Sequence, residues 1–160
     1  MKTPVFLLAL TALACSVFAE APKPLDDLRK TLSAAGKEQK MAFVLLGRPT
    51  CGNCNATKAM IREGKIPVTA DAYVMGDLNI DDARTEAEFM KKYAKEDFGT
   101  TLPFIVVTDA HGKALASSGG YKTAEQWNAL LAEAKTKAVA KAPAAGTGAP
   151  SIFKTPPAGQ

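Results

Sequence analysis

"LLGRPTCGNCNATKAMI", residues 45–61, sets Cys51 and Cys54 directly behind an apolar run, with only Gly52 and Asn53 between them. The preceding "AFVLL" (42–46) is a short continuous apolar stretch, the pattern of a strand buried on both faces. The following "NATKAMIREG" reads as a helix ended by Gly64. Strand, sharp turn through Pro49 and Thr50, then helix is therefore the setting of the cysteine pair. Three chemistries use this spacing: a metal site, a haem attachment and a reversible disulfide.

Haem attachment requires a histidine directly after the second cysteine, and Asn55 stands there. A structural zinc site requires four ligands. Beyond the two thiols the chain has a single histidine, His111, which reads as a solvated residue of a hairpin turn. Carboxylates or a second chain would have to complete such a site, and no metal is assigned. The disulfide reading explains more. Two cysteines three positions apart in a first helical turn can bring their sulfurs together, and the helix start favours negative charge at the N-terminal one. Cys51 is then the nucleophile, attacking a disulfide as a thiolate, and Cys54, one turn on and less exposed, resolves the mixed intermediate. A permanent staple is the weaker reading, since closing so small a loop removes little entropy from the unfolded chain. Arg48 and Lys58 lie close in sequence and read as solvated charges.

The opening residues read as an export signal. Lys2 supplies the positive start, Val5 to Ala14 form an apolar core of about ten residues, and Val17-Phe18-Ala19 fits a small-x-small cleavage site. The mature chain is expected to begin at Glu20, so that residues 1–19 are discarded. Lipidation of Cys15 after "ALA" is the alternative, though Ala12 occupies the position where lipoproteins place a leucine. About 140 residues remain, a size that makes one domain the expectation. At 47% apolar residues the chain has material for an ordinary core. Its net charge of +4, lowered to +3 by loss of Lys2, is too mild to argue for nucleic acid, and no aromatic-interleaved basic patch appears.

Working outward from the cysteines, "PLDDLRKTLSAAG" (24–36) sets Leu25, Leu28, Leu32 and Ala35 on one helical face, with Asp26 and Asp27 in the first turn and Gly36 as a stop. "AYVMGDLN" (72–79) reads as a second strand in which Gly76 marks a bulge or a close backbone approach. Asp81 and Asp82 cap a helix over about 84–95, with Phe89, Met90 and Tyr93 as its buried stripe. A strand at 104–108, a turn from Asp109 to Gly112 and a strand near 113–117 form a hairpin. Thr123 and Gln126 form a capping box for a closing helix with Trp127, Leu130, Leu131 and Ala134 at helical spacing. From residue 137 the composition turns to Ala, Pro, Gly, Lys and Thr, and disorder is expected through residue 160. In that tail only Ile152-Phe153 would offer a partner an apolar contact.

On Cys51-Gly52-Asn53-Cys54, on the order of elements over roughly residues 24–136, and on Pro103 in "TTLPFIVV", the chain resembles the thioredoxin-like superfamily. The resemblance implies an α/β domain over 20–136: a central mixed β-sheet flanked by helices, with a C-terminal hairpin and closing helix. It implies a cis bond before Pro103, facing the disulfide, which turns Leu102 so that its backbone meets an incoming extended peptide. Gly52, Asn53, Leu102 and Pro103 are then the substrate-contacting residues. The chain departs from the thioredoxin pattern at three positions. Thr50 replaces a tryptophan, Asn53 replaces a proline, and Leu45 stands where thioredoxins bury an acid, so proton transfer to the resolving cysteine must come from water or another group.

The expectation is a monomeric periplasmic thiol–disulfide oxidoreductase that exchanges disulfides with partner proteins and works as a reductase. The resemblance implies a membrane-bound dithiol carrier as electron donor and no organic cofactor. A disulfide donor or isomerase is the first alternative. The second is a non-catalytic binding module using the Leu102-Pro103 surface.

Overall fold

Alternation along residues 42–46 organises the molecule. In the computed structural model, which describes residues 20–141, Phe43 and Leu45 enter one buried cluster, and Ala42, Val44 and Leu46 enter a second on the opposite face. A strand with no polar position can sit only between two layers, which is how the uninterrupted apolar run reads.

The elements follow in the order α1 (Leu28–Glu38), β1 (Met41–Gly47), α2 (Gly52–Arg62), β2 (Tyr73–Asn79), α3 (Ala83–Lys92), β3 (Phe104–Thr108), β4 (Ala114–Gly119) and α4 (Ala124–Lys141). The sheet order is β2-β1-β3-β4. β1 pairs parallel with β2, opposing Leu45 to Asp77, and antiparallel with β3, which forms a hairpin with β4. One face holds Cys54 and Ile61 of α2 and Trp127, Leu131 and Ala134 of α4, packed on Phe43, Leu45, Tyr73, Met75, Ile105 and Val107. The other holds Leu28 and Ala35 of α1 and Phe89 of α3 against Val44, Leu46, Val74 and Val106. This is the α/β architecture expected, a mixed sheet between helices with the hairpin and closing helix last. No described helix is long and apolar enough to cross a membrane.

Several local expectations shift. α1 does not stop at Gly36 but continues to Glu38, and Gln39 takes the left-handed conformation at φ 53°. A Cβ on Gly36 would lie 3.2 Å from the Ala110 carbonyl oxygen, so this glycine admits the hairpin turn rather than ending the helix. Leu25 precedes α1 and bridges to Gly76, with Leu25 N–H donating to Met75 O at 2.9 Å and Asp77 N–H to Leu25 O at 2.8 Å. Of the two readings of Gly76, close approach is the one realised, since a Cβ there would lie 3.0 Å from Thr31 Oγ1. Met90 is 40% exposed, because Phe89 and Tyr93 alone share the inward face at i, i+4 spacing.

The Thr123–Gln126 capping box is formed in both directions, Thr123 N–H donating to Gln126 Oε1 at 2.9 Å and Gln126 N–H to Thr123 Oγ1 at 3.4 Å. α4 then runs on to Lys141, past the composition change at 137, and Lys137 Nζ donates to Leu115 O at 3.0 Å and pairs with Glu133 at 2.6 Å. These two contacts give its last turns partners that composition alone does not reveal. The leader at 1–19 with Cys15, and the tail from 142 with Ile152-Phe153, lie outside the described residues.

Candidate redox-active site

β1 ends at Gly47, and the turn through Arg48 and Pro49 delivers Cys51 to the first position of α2. Cys51 is the N-cap, with extended backbone, and its sulfur accepts from the Cys54 backbone N–H at 3.1 Å. The two cysteines are bonded as a disulfide, with Cα atoms 5.3 Å apart. They differ sharply in surroundings: Cys51 is half-buried, while Cys54 has 0% exposure within the cluster between β1, α2 and α4. Cys51 therefore combines access with the positive end of the helix dipole, the two conditions under which a thiol ionises and attacks.

The second wall is the segment before β3. The Leu102-Pro103 bond is cis, Pro103 is buried and Leu102 is half-buried. Asn53, between the cysteines, donates through Nδ2 to Leu102 O at 3.3 Å. Residues some fifty positions apart are thus tied together, the CGNC turn to the segment that carries the cis bond before Pro103. On the far side, Pro103 O accepts from Gly120 N–H at 3.1 Å, which fixes the segment to the end of β4.

Behind the disulfide, Gly47 admits a close approach: a Cβ there would lie 2.6 Å from Cys54 Sγ. Leu45 is fully buried and apolar on this same face. Neither Arg48 nor Lys58 is free. Arg48 pairs with Asp81 at 3.2 Å, and Lys58 pairs with Asp77 at 3.0 Å, their side chains only 19% and 29% exposed. Sequence reading missed Asp77, although its signal was present: it follows Tyr73 and Met75 in the strand's alternation, which aims it at α2, and Lys58 lies four residues after Cys54. His111 is exposed in its turn, and no cluster of three or more His, Cys, Asp or Glu residues able to hold a metal occurs among the described residues.

Residues 28–135 match the family model of the thioredoxin-like domain. Among solved structures, a DsbH oxidoreductase superposes with a TM-score of 0.50 at 17% identity, covering 82% of this chain and 95% of its own. An uncharacterised thioredoxin-like protein from Clostridium perfringens superposes with a TM-score of 0.53 at 13% identity, covering 78% and 90%. Oxidised thioredoxin O2 from Arabidopsis thaliana gives 0.50 at 15% identity, covering 71% and 94%. At these identities the likeness is one of fold. No curated protein matches the chain.

Proposed function

Because this chain belongs to the thioredoxin-like domain family, a family of disulfide oxidoreductases with a CxxC pair, we propose that it exchanges disulfides with partner proteins and does so as a reductase. Cys51 attacks a substrate disulfide to form a mixed disulfide. Cys54 then attacks Cys51, and the substrate leaves with its second sulfur reduced. The observation that carries this reading is the asymmetry of the pair, with an accessible helix-capping sulfur at Cys51 and a fully buried one at Cys54. The surface where the CGNC turn meets the Leu102-Pro103 segment would receive an extended substrate strand.

The reducing direction is supported by what separates the cysteines. A strong oxidant owes its potential to a stabilised reduced form, and the uncharged Gly52-Asn53 pair offers a Cys51 thiolate no cationic side chain. The reading of residues 1–19 as an export leader supports a periplasmic setting, in which a membrane-bound dithiol carrier would return the protein to the reduced state.

An equilibrium redox titration of the protein, scored by alkylation and mass shift, tests the reading. A two-electron transition near or below about −250 mV is expected, and one above about −180 mV would overturn the direction in favour of disulfide donation or isomerisation. Cys51→Ser abolishes exchange, whereas Cys54→Ser accumulates the mixed disulfide and identifies the substrate by mass. Failure of any intramolecular disulfide to form at any poise would overturn the exchange reading itself.

A further inference from the structure

Asn53 stands where the thioredoxin pattern has a proline, and it sets between the cysteines a side-chain donor that proline lacks. Its Nδ2 donates to Leu102 O at 3.3 Å, at the long end for an N–H···O bond. Among the described residues no backbone N–H donates to that oxygen. The next carbonyl is held differently, since Pro103 O accepts from Gly120 N–H at 3.1 Å, a bond that only movement of the chain at the end of β4 could release. Leu102 O is freed by turning one side chain. The backbone of Asn53 is fixed in the first turn of α2, where its carbonyl oxygen accepts from the buried Thr57 hydroxyl at 3.0 Å, so the side-chain torsions alone carry that motion. Asn53 and Leu102 are both half-buried, which leaves the bond between them open to a partner arriving from solvent.

Resting on the exchange reading above, we infer that the Asn53 carboxamide stands in at Leu102 O for the backbone N–H of a substrate chain, and thereby sets the breadth of substrates that the site accepts. A peptide that brings an N–H to Leu102 O displaces Asn53, whose amide turns to water, and it gains only the difference between two similar hydrogen bonds. A peptide that brings no N–H there, as where its own residue is a proline, leaves Asn53 in place, so that no covered acceptor is left unpaired. Binding is levelled between the two kinds of chain. The substrate class is therefore disulfides carried on extended peptide segments of varied sequence, prolines beside the cysteine included. With alanine at position 53 the levelling is lost: a matching N–H meets a free carbonyl, and a missing one leaves that carbonyl covered and unpaired.

The probe is a short peptide whose single cysteine is disulfide-bonded to a coloured aryl thiol, mixed with the reduced protein by stopped flow. Cys51 attacks the peptide sulfur, the aryl S–S bond breaks, and the aryl thiolate, the better leaving group, departs with the electron pair and reports the second-order rate. In a companion series each backbone amide flanking the cysteine is replaced in turn by an ester, which removes one N–H without adding bulk. Each rate is divided by that for the symmetrical aryl disulfide, which cancels any change that Asn53→Ala makes in the reactivity of Cys51. In Asn53→Ala the parent peptide should gain about three- to tenfold, the net contribution of one neutral hydrogen bond, and one ester position should lose at least as much. Wild type should lose less than about twofold for that same ester, so the two changes couple as a double-mutant cycle. A parent-peptide ratio that is unchanged or lower in Asn53→Ala, or the lack of any ester position costing the variant several-fold more than wild type, overturns the inference while the exchange reading stands. Failure of the wild-type protein to release aryl thiolate from either the peptide or the aryl disulfide overturns both.

Discussion

Gly47→Ala probes the packing behind the disulfide most directly. The added methyl would lie 2.6 Å from Cys54 Sγ, 3.2 Å from Cys54 Cβ and 3.1 Å from Leu45 Cδ2. Ordinary contacts of this kind sit near about 3.5–4.0 Å, so the sulfur must retreat by roughly 1 Å. It has little room to do so, being fully buried, in the first turn of α2 and bonded to Cys51. Overpacking of a closed core costs about 1–3 kcal/mol, and the absence of any flexible neighbour places this site in the upper half of that range. In the reduced protein the Cys54 side chain is released from Cys51 and can rotate away, so the penalty should fall. Each kcal/mol by which the oxidised form suffers more makes the pair more oxidising by roughly 20 mV. Urea unfolding of the oxidised and the dithiothreitol-reduced variant, each against wild type, measures both quantities. Equal destabilisation of the two redox states, or none in either, would refute the argument that the methyl acts on the sulfur.

Asp27→Ala removes the N-cap of α1, whose carboxylate accepts from Lys30 N–H at 2.9 Å, and should lower stability by about 1 kcal/mol at neutral pH. That hydrogen bond, aided by Arg29 N–H and by the charges of Lys30 and Arg84, holds the Asp27 carboxyl below its usual 3.8; the cap's contribution is therefore full above that value and lost as the pH falls through the lowered one, and thermal unfolding across acid pH should show the gap closing. Tyr73→Phe should be neutral or stabilising by up to about 1 kcal/mol, since the Tyr73 hydroxyl is buried with no hydrogen-bond partner among the described residues. Burial pushes that hydroxyl up to about 12 from its ordinary 10.0, so wild-type stability declines as pH rises through this interval, and urea midpoints in alkali should favour the phenylalanine variant further. Gly119→Ala drives a Cβ into the Phe98 carbonyl and to 3.1 Å from Thr101 O, both backbone groups of the segment leading to Leu102-Pro103. A loss of about 2 kcal/mol or more and slower substrate exchange are expected, whereas an unchanged urea midpoint would mean that this segment yields freely.

The elements that carry the site were legible because each had a local cause. The run 42–46 has no polar position to expose, the cysteine pair follows it at helix-start spacing, and the Thr123–Gln126 box announces α4. What escaped depends on neighbours that are remote in sequence. Gly36 looks like a helix stop until the turn at Ala110 is seen against it. α4 outruns its composition because Lys137 reaches the Leu115 carbonyl on β4. Lys58 looks like a solvated charge because its partner is nineteen residues away, on β2 rather than on its own helix. The tie from Asn53 to Leu102 is likewise a product of the closed fold, spanning 49 residues.

The replacement of a buried acid by Leu45 has a physical counterpart one strand away. A carboxylate at position 45, on an inner strand with no exposure, would lose its hydration, and charge there is costly unless it is paired. Asp77 occupies the opposing position in the parallel register, on edge strand β2, where it retains partial exposure and a lysine at 3.0 Å. Both positions belong to the face that carries Cys54, so moving the charge across one ladder keeps it on the resolving side of the disulfide. Leu45 and the Lys58–Asp77 pair are thus read together, as one arrangement that leaves the central strand apolar and holds the charge at the sheet edge, where it stays paired and partly hydrated.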